Sequence, residues 1–165
     1  MKLRFKQPLI LLILSVVIAL LANTISSNRI PFVGNWPSVS GSDTIVIPPS
    51  AEEGDPAFIS LDEAATKFQS RNTLFIDARE PEDYEFGHIK GAINLPYDYL
   101  EDYWDDIIKD ISPDREIVVY CSGSECESSL FLGRELSETG YNHVYIFYGG
   151  WREWERSGLP AVMGN

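Results

Sequence analysis

The 165-residue chain predicts an α/β domain, a small and mostly parallel sheet with helices on both faces, and three observations carry that reading. Compact apolar runs at Thr73-Leu74-Phe75-Ile76, Ile117-Val118-Val119-Tyr120 and His143-Val144-Tyr145-Ile146-Phe147 have the length of strands. Between them lie segments with helical spacing, long enough to serve as crossovers between parallel strands. Polar residues close the apolar runs, Asp77 and Arg79 after the first and Cys121 after the second, and in such sheets the site lies at the carboxyl ends of the strands.

At the N-terminus, Lys2, Arg4 and Lys6 precede an uncharged apolar block from Leu9 to Ala22, the layout of a secretory signal or a signal anchor over residues 1–24. The uncharged stretch 7–28 has the length of a membrane span, and bulky Leu20 two residues before Ala22 is a poor peptidase site, so an uncleaved anchor is the expectation. The basic front places the body outside the cytoplasm, membrane-anchored, or secreted or periplasmic if the segment is cleaved. Residues 25–56, rich in Pro, Gly, Ser and Asn, read as a tether, with Thr44-Ile45-Val46-Ile47 as an edge strand and the globular domain starting at 57.

Ser60 and Glu63 have capping-box spacing and predict a helix from Leu61 to about Gln69. Pro81 opens a short helix that Gly87 closes, and Ala92 to Pro96 reads as a short strand. Tyr99, Leu100, Tyr103, Trp104, Ile107 and Ile108 recur at helical spacing and predict a core-facing aromatic stripe. The loop after Cys121 feeds a helix from about Cys126 to Glu138. On that helix Gly133 reads either as a close approach to the sheet or as a neutral glycine. A terminal helix runs from Trp151 to Ser157, stopped by Gly158 and Pro160.

Thirteen basic against 25 acidic residues give a net charge of -12, which excludes nucleic acid as an expected partner. Two cysteines cannot supply a four-ligand zinc site, and His88 and His143 lie far from them in sequence, so no metal and no cofactor are expected. Chemistry concentrates instead at Cys121. A buried strand delivers its thiol to a loop, Ser122-Gly123-Ser124-Glu125-Cys126-Glu127, whose amides and following helix favour a thiolate and an anionic ligand. Asp77 and Arg79 shape access to that loop or brace it as an ion pair.

Phe75-Ile76-Asp77-Ala78-Arg79, then Tyr84 through Pro96 with Gly87-His88-Ile89, then Val119-Tyr120-Cys121, then Gly149-Gly150-Trp151 with Trp154, closely resemble the rhodanese family, from about Phe58 to Val162. The resemblance implies a rhodanese-like fold and a sulfurtransferase in which Cys121 takes sulfane sulfur as a persulfide. Its partners would be a small sulfur donor and a thiol or other nucleophilic acceptor. One departure is informative: many active rhodaneses carry a basic residue in or at the end of the loop, where this chain has Glu125 and Glu127. An acidic loop is expected to repel a dianionic donor. Cys126 is a second departure, read as a resolving thiol for a thiol-disulfide or persulfide-reducing protein, a guard against over-oxidation, a structural disulfide partner or an idle thiol. A third function class is a non-catalytic module that docks a membrane or exported protein.

Overall fold

The computed structural model describes residues 6–25 and 44–164, which fall into two separate units, Met1–Ser38 and Val39–Asn165. The described residues of the first form the helix α1 (Lys6–Ile25), which begins with Lys6 and Gln7 and ends with Asn23 and Thr24 in its last turn. Its apolar stretch from Leu9 to Ala22 rises about 21 Å, against about 30 Å of bilayer hydrocarbon. The expected span over residues 7–28 is therefore not supported: among the described residues no helix is long and apolar enough to cross a membrane. The part of the tether at 26–43 lies outside the described residues.

The second unit is built on a five-stranded parallel sheet in the order β1-β6-β5-β2-β4, from β1 (Ala57–Phe58), β2 (Thr73–Asp77), β4 (Ile93–Asn94), β5 (Glu116–Tyr120) and β6 (Val144–Phe147). Alternation along β5 sends Val118 and Tyr120 to one face and Ile117 and Val119 to the other. On the first face, α2 (Leu61–Ser70) and α6 (Gly150–Arg156) add Leu61, Ala64, Trp151 and Trp154 to a core with Phe75 and Phe147. On the second, α4 (Leu100–Ile108) and α5 (Ser128–Glu138) add Ile108, Leu132 and Leu136. The expected fold, helices on both faces of a parallel sheet, is what the chain adopts.

Local signals explain most element ends. The Glu63 amide donates to the Ser60 hydroxyl while the Glu63 carboxylate accepts from the Ser60 amide, a complete capping box at the start of α2. Ser60→Ala is expected to cost about 1 kcal/mol, readable as a lowered denaturation midpoint, and no change would mean that Glu63 alone caps this helix. In α5, a Cβ on Gly133 would stand 3.1 Å from the Ile146 side chain, so of its two readings the close approach to the sheet is the one observed.

Other expectations are corrected. Thr44 to Ile47 forms no strand, because it pairs with no neighbour. Residues 44–56, read as tether, fold onto the domain: Val46 packs on Leu130, Ile146 and Tyr148. Arg134 of α5 donates to both Asp55 carboxylate oxygens, at 2.6 and 2.9 Å, and to the Ser50 carbonyl at 2.9 Å. The Arg134 hydrogen bond holds the Asp55 carboxyl below its usual range. The aromatic stripe is only partly core, since Tyr99 and Tyr103 are exposed. A second, antiparallel pair, β3 (Gly87–Ile89) with β7 (Ala161–Met163), has no counterpart in the sequence reading. β3 directly follows α3 (Pro81–Phe86).

Candidate active site

β5 is the middle strand of the sheet, and its carboxyl end delivers Cys121, 2% exposed, to the loop ahead of α5. Cys121 and Cys126 are joined in a disulfide with their Cα atoms 6.1 Å apart. The pairing is possible because Cys126 is not yet helical. The Cys126 amide closes a turn onto the Gly123 carbonyl at 2.9 Å, and α5 starts two residues later, at Ser128, rather than at Cys126. Among the described residues, the amides of Ser122, Gly123, Ser124 and Glu125 donate to no backbone carbonyl, and the hydroxyls of Ser122 and Ser124 make no bond within the chain. These donors remain for a ligand. Ser124 and Glu125 are exposed, and Ser122 is half-buried.

The loop is held from the opposite side by the Gly149-Gly150-Trp151 turn. The Trp151 amide donates to the Cys121 carbonyl at 2.8 Å and the Arg152 amide to the Ser122 carbonyl at 3.1 Å. Gly150 (φ +63) is required there, since a Cβ on it would stand 2.4 Å from the Cys121 carbonyl oxygen. Behind the loop, Asp77 and Arg79 form a buried pair, with Arg79 Nε donating to Oδ1 at 2.9 Å and Nη2 to Oδ2 at 2.6 Å. Arg79 also donates to the Gly87 carbonyl at 2.7 Å and its guanidinium lies 5.3 Å from the Trp151 ring. Burial alone would depress the Arg79 pKa, but the Asp77 hydrogen bond and charge leave it raised. Of the two roles open to this pair, the geometry supports the brace.

A family model described as the rhodanese-like domain matches residues 60–157, more than half of the chain. The chain belongs to the rhodanese-like domain family. Among curated proteins it is 32% identical over 106 residues to an HTH-type transcriptional regulator of Mycobacterium tuberculosis, covering 64% of this chain and 45% of that one. It is 31% identical over 117 residues to a tRNA uridine(34) hydroxylase of Yersinia pestis, covering 64% of this chain and 32% of the relative. The chain thus spans less than half the length of these two relatives. In fold it is similar to a human single-domain sulfurtransferase, with a TM-score of 0.53 at 24% identity, over 62% of this chain and 97% of that one.

Within the rhodanese loop, the two glutamates do not share one environment. Glu127 accepts from the Ser50 hydroxyl, delivered by the folded-down segment 44–56. Glu125 lies 3.8 Å from Arg152, with both side chains largely exposed. The loop itself carries no basic residue, as its sequence reads, but Arg152 brings a cation beside it. Its Cβ and Cδ each stand 3.9 Å from the position of a Cβ on Gly123, so its stem crosses the loop. Arg152 follows the Gly149-Gly150-Trp151 motif directly, and that adjacency was the signal available in the sequence. His88 is architectural, its Nδ1 2.8 Å from the Tyr84 carbonyl and its ring stacked on Tyr84 at 3.8 Å. His143 is exposed at the opposite end of the sheet. Among the described residues no group of His, Cys, Asp and Glu is placed to hold a metal ion.

Proposed function

We propose that this rhodanese-like domain handles sulfane sulfur with two cysteines, Cys121 as acceptor and Cys126 as resolving thiol. The observation that carries the reading is the Cys121–Cys126 disulfide at the carboxyl end of the central strand, inside a loop where four successive amides, Ser122 to Glu125, donate to no backbone carbonyl. In the reduced protein the Cys121 thiolate attacks the sulfane sulfur of an anionic donor. A persulfide forms on Cys121, and the rest of the donor leaves as an anion, sulfite from thiosulfate or a thiolate from a hydropersulfide. The amides of Ser122 to Glu125 stabilise both the thiolate and the persulfide.

With an acceptor thiolate the terminal sulfur passes on and Cys121 is regenerated. Without one, the Cys126 thiolate attacks the inner sulfur of the persulfide, forming the disulfide and releasing the outer sulfur as HS⁻ with the proton from the Cys126 thiol. The two thiols supply the two electrons that the sulfur gains. A dithiol reductant then restores both cysteines.

Mass spectrometry of the reduced protein after exposure to thiosulfate or polysulfide tests this sequence. One added sulfur is expected on Cys121, short-lived in the wild type and longer-lived in Cys126→Ser, which lacks the intramolecular nucleophile. Equal lifetimes would reduce Cys126 to a bystander and leave a one-cysteine sulfurtransferase. No sulfur on Cys121 from either donor would sink sulfur chemistry altogether and favour an interaction module.

We place this chemistry outside the cytoplasm. Support comes from the basic front before the apolar block of α1 and from a disulfide that an oxidising compartment preserves. Attachment to a membrane through 7–28 is left to the same test, a C-terminal reporter active only outside the cytoplasm, followed by fractionation. A silent reporter would overturn the placement, and recovery in the soluble fraction would exclude attachment.

A further inference from the structure

The acidic character of the loop poses a problem for an anionic donor, and the position of one side chain answers it. Arg152 is fixed at its backbone by donation to the Ser122 carbonyl at 3.1 Å, and its stem lies across Gly123. Its guanidinium is not committed to the core: the side chain is 61% exposed and its partner is Glu125, 3.8 Å away and 81% exposed. An ion pair this long and this exposed is weak and readily exchanged. The buried arginine, Arg79, commits Nε and Nη2 to Asp77 and the Gly87 carbonyl. Arg134 is likewise held by Asp55 and the Ser50 carbonyl.

We infer that Arg152 is the cation that receives the anionic end of the sulfur donor above the Cys121 loop, and that Glu125 is its intramolecular competitor. This rests on the reading of Cys121 as a sulfur acceptor and adds the donor class: small, anionic, and able to displace a carboxylate from a guanidinium. A planar guanidinium suits an oxyanion such as a thiosulfonate or thiosulfate end, which it can hold through two parallel N–H donors. Glu125 discriminates against weakly charged donors, because only a stronger anion exchanges with it.

The test uses the full chain with the single substitution Cys126→Ser, reduced, so that Cys121 is the one thiol. Its alkylation is timed with iodoacetate, an anion, and with iodoacetamide, its neutral counterpart. Any change in the thiolate fraction of Cys121 affects both reagents alike, so their rate ratio isolates the attraction of the anion. Arg152→Gln is expected to lower the iodoacetate-to-iodoacetamide ratio by about three- to tenfold, the effect of one nearby surface charge. Arg152→Lys should keep most of it, and Glu125→Gln should raise it. With thiosulfate as donor, Arg152→Gln should raise KM more than it lowers kcat.

A ratio unchanged in Arg152→Gln overturns the assignment, whether or not Cys121 accepts sulfur. A ratio that responds as described, in a protein that takes no sulfur, keeps Arg152 as the anion receptor and overturns the sulfur-transfer reading instead. Since both side chains are exposed, the variants are expected to fold, and an unchanged denaturation midpoint confirms it.

Discussion

Asp77→Ala is expected to destabilise the domain by about 3–5 kcal/mol, the range for removing one member of a buried ion pair. Asp77 is fully buried at the end of β2, and the Arg79 side chain is 5% exposed, so the substitution strands a guanidinium where water does not reach. The damage would extend beyond the pair. Arg79 holds the Gly87 carbonyl at the start of β3 and lies against Trp151, whose amide holds Cys121. The Asp77 backbone itself joins the neighbouring strand through its carbonyl, which accepts from the Leu95 amide at 2.9 Å and from Asn94 Nδ2 at 3.0 Å. Those two bonds survive the substitution, whereas the Arg79 amide, which donates to Asp77 Oδ1 at 3.1 Å, loses its acceptor, so the measured loss covers the charge pair together with that backbone bond. Urea unfolding of Asp77→Ala measures it, and the double variant Asp77→Ala/Arg79→Met should recover part of the loss by removing the stranded charge. A loss below about 1 kcal/mol would mean that water reaches Arg79 and that the pair is no brace.

Where the sequence was legible, the information was local or periodic. The capping box of α2 sits within four residues, and the apolar alternation of β5 sorts its side chains onto the two faces without reference to the rest of the chain. The place of Cys121, at the carboxyl end of a buried strand ahead of a loop, was readable because an apolar run ending at a cysteine before small residues is itself a local pattern. What escaped depends on contacts between distant residues. The pairing of Gly87–Ile89 with Ala161–Met163 joins segments separated by α4, α5 and most of the sheet. Residues 44–56 look like a linker by composition, yet Asp55 and Ser50 meet Arg134 about eighty positions away. The surroundings of the two loop glutamates escaped for the same reason: Glu125 and Glu127 are adjacent to the thiols in sequence, whereas Ser50 and Arg152 arrive from elsewhere.

Gly150→Ala is expected to disable the site as well as weaken the fold. At φ +63 an L-residue is strained by about 1–2 kcal/mol before any contact is considered. The added Cβ would then stand 2.4 Å from the Cys121 carbonyl oxygen, 2.8 Å from the Gly123 nitrogen and 3.0 Å from the Gly123 Cα. All three are backbone atoms, so no side chain can swing aside, and the cysteine loop must separate from the turn. Doing so stretches the bonds from the Trp151 and Arg152 amides that fix the loop carbonyls. Overpacking of this kind adds about 1–3 kcal/mol to the backbone strain. The chemical consequence is larger, because a displacement of about 1 Å in a positioned nucleophile costs about a hundredfold in rate. Sulfur uptake by Cys121, timed under conditions where the variant remains folded, should therefore fall about a hundredfold while the far-ultraviolet spectrum keeps its native shape. Wild-type uptake in a variant destabilised by the expected amount would show that the glycine turn supports the fold alone, and that the register of the Cys121 loop is set from the α5 side.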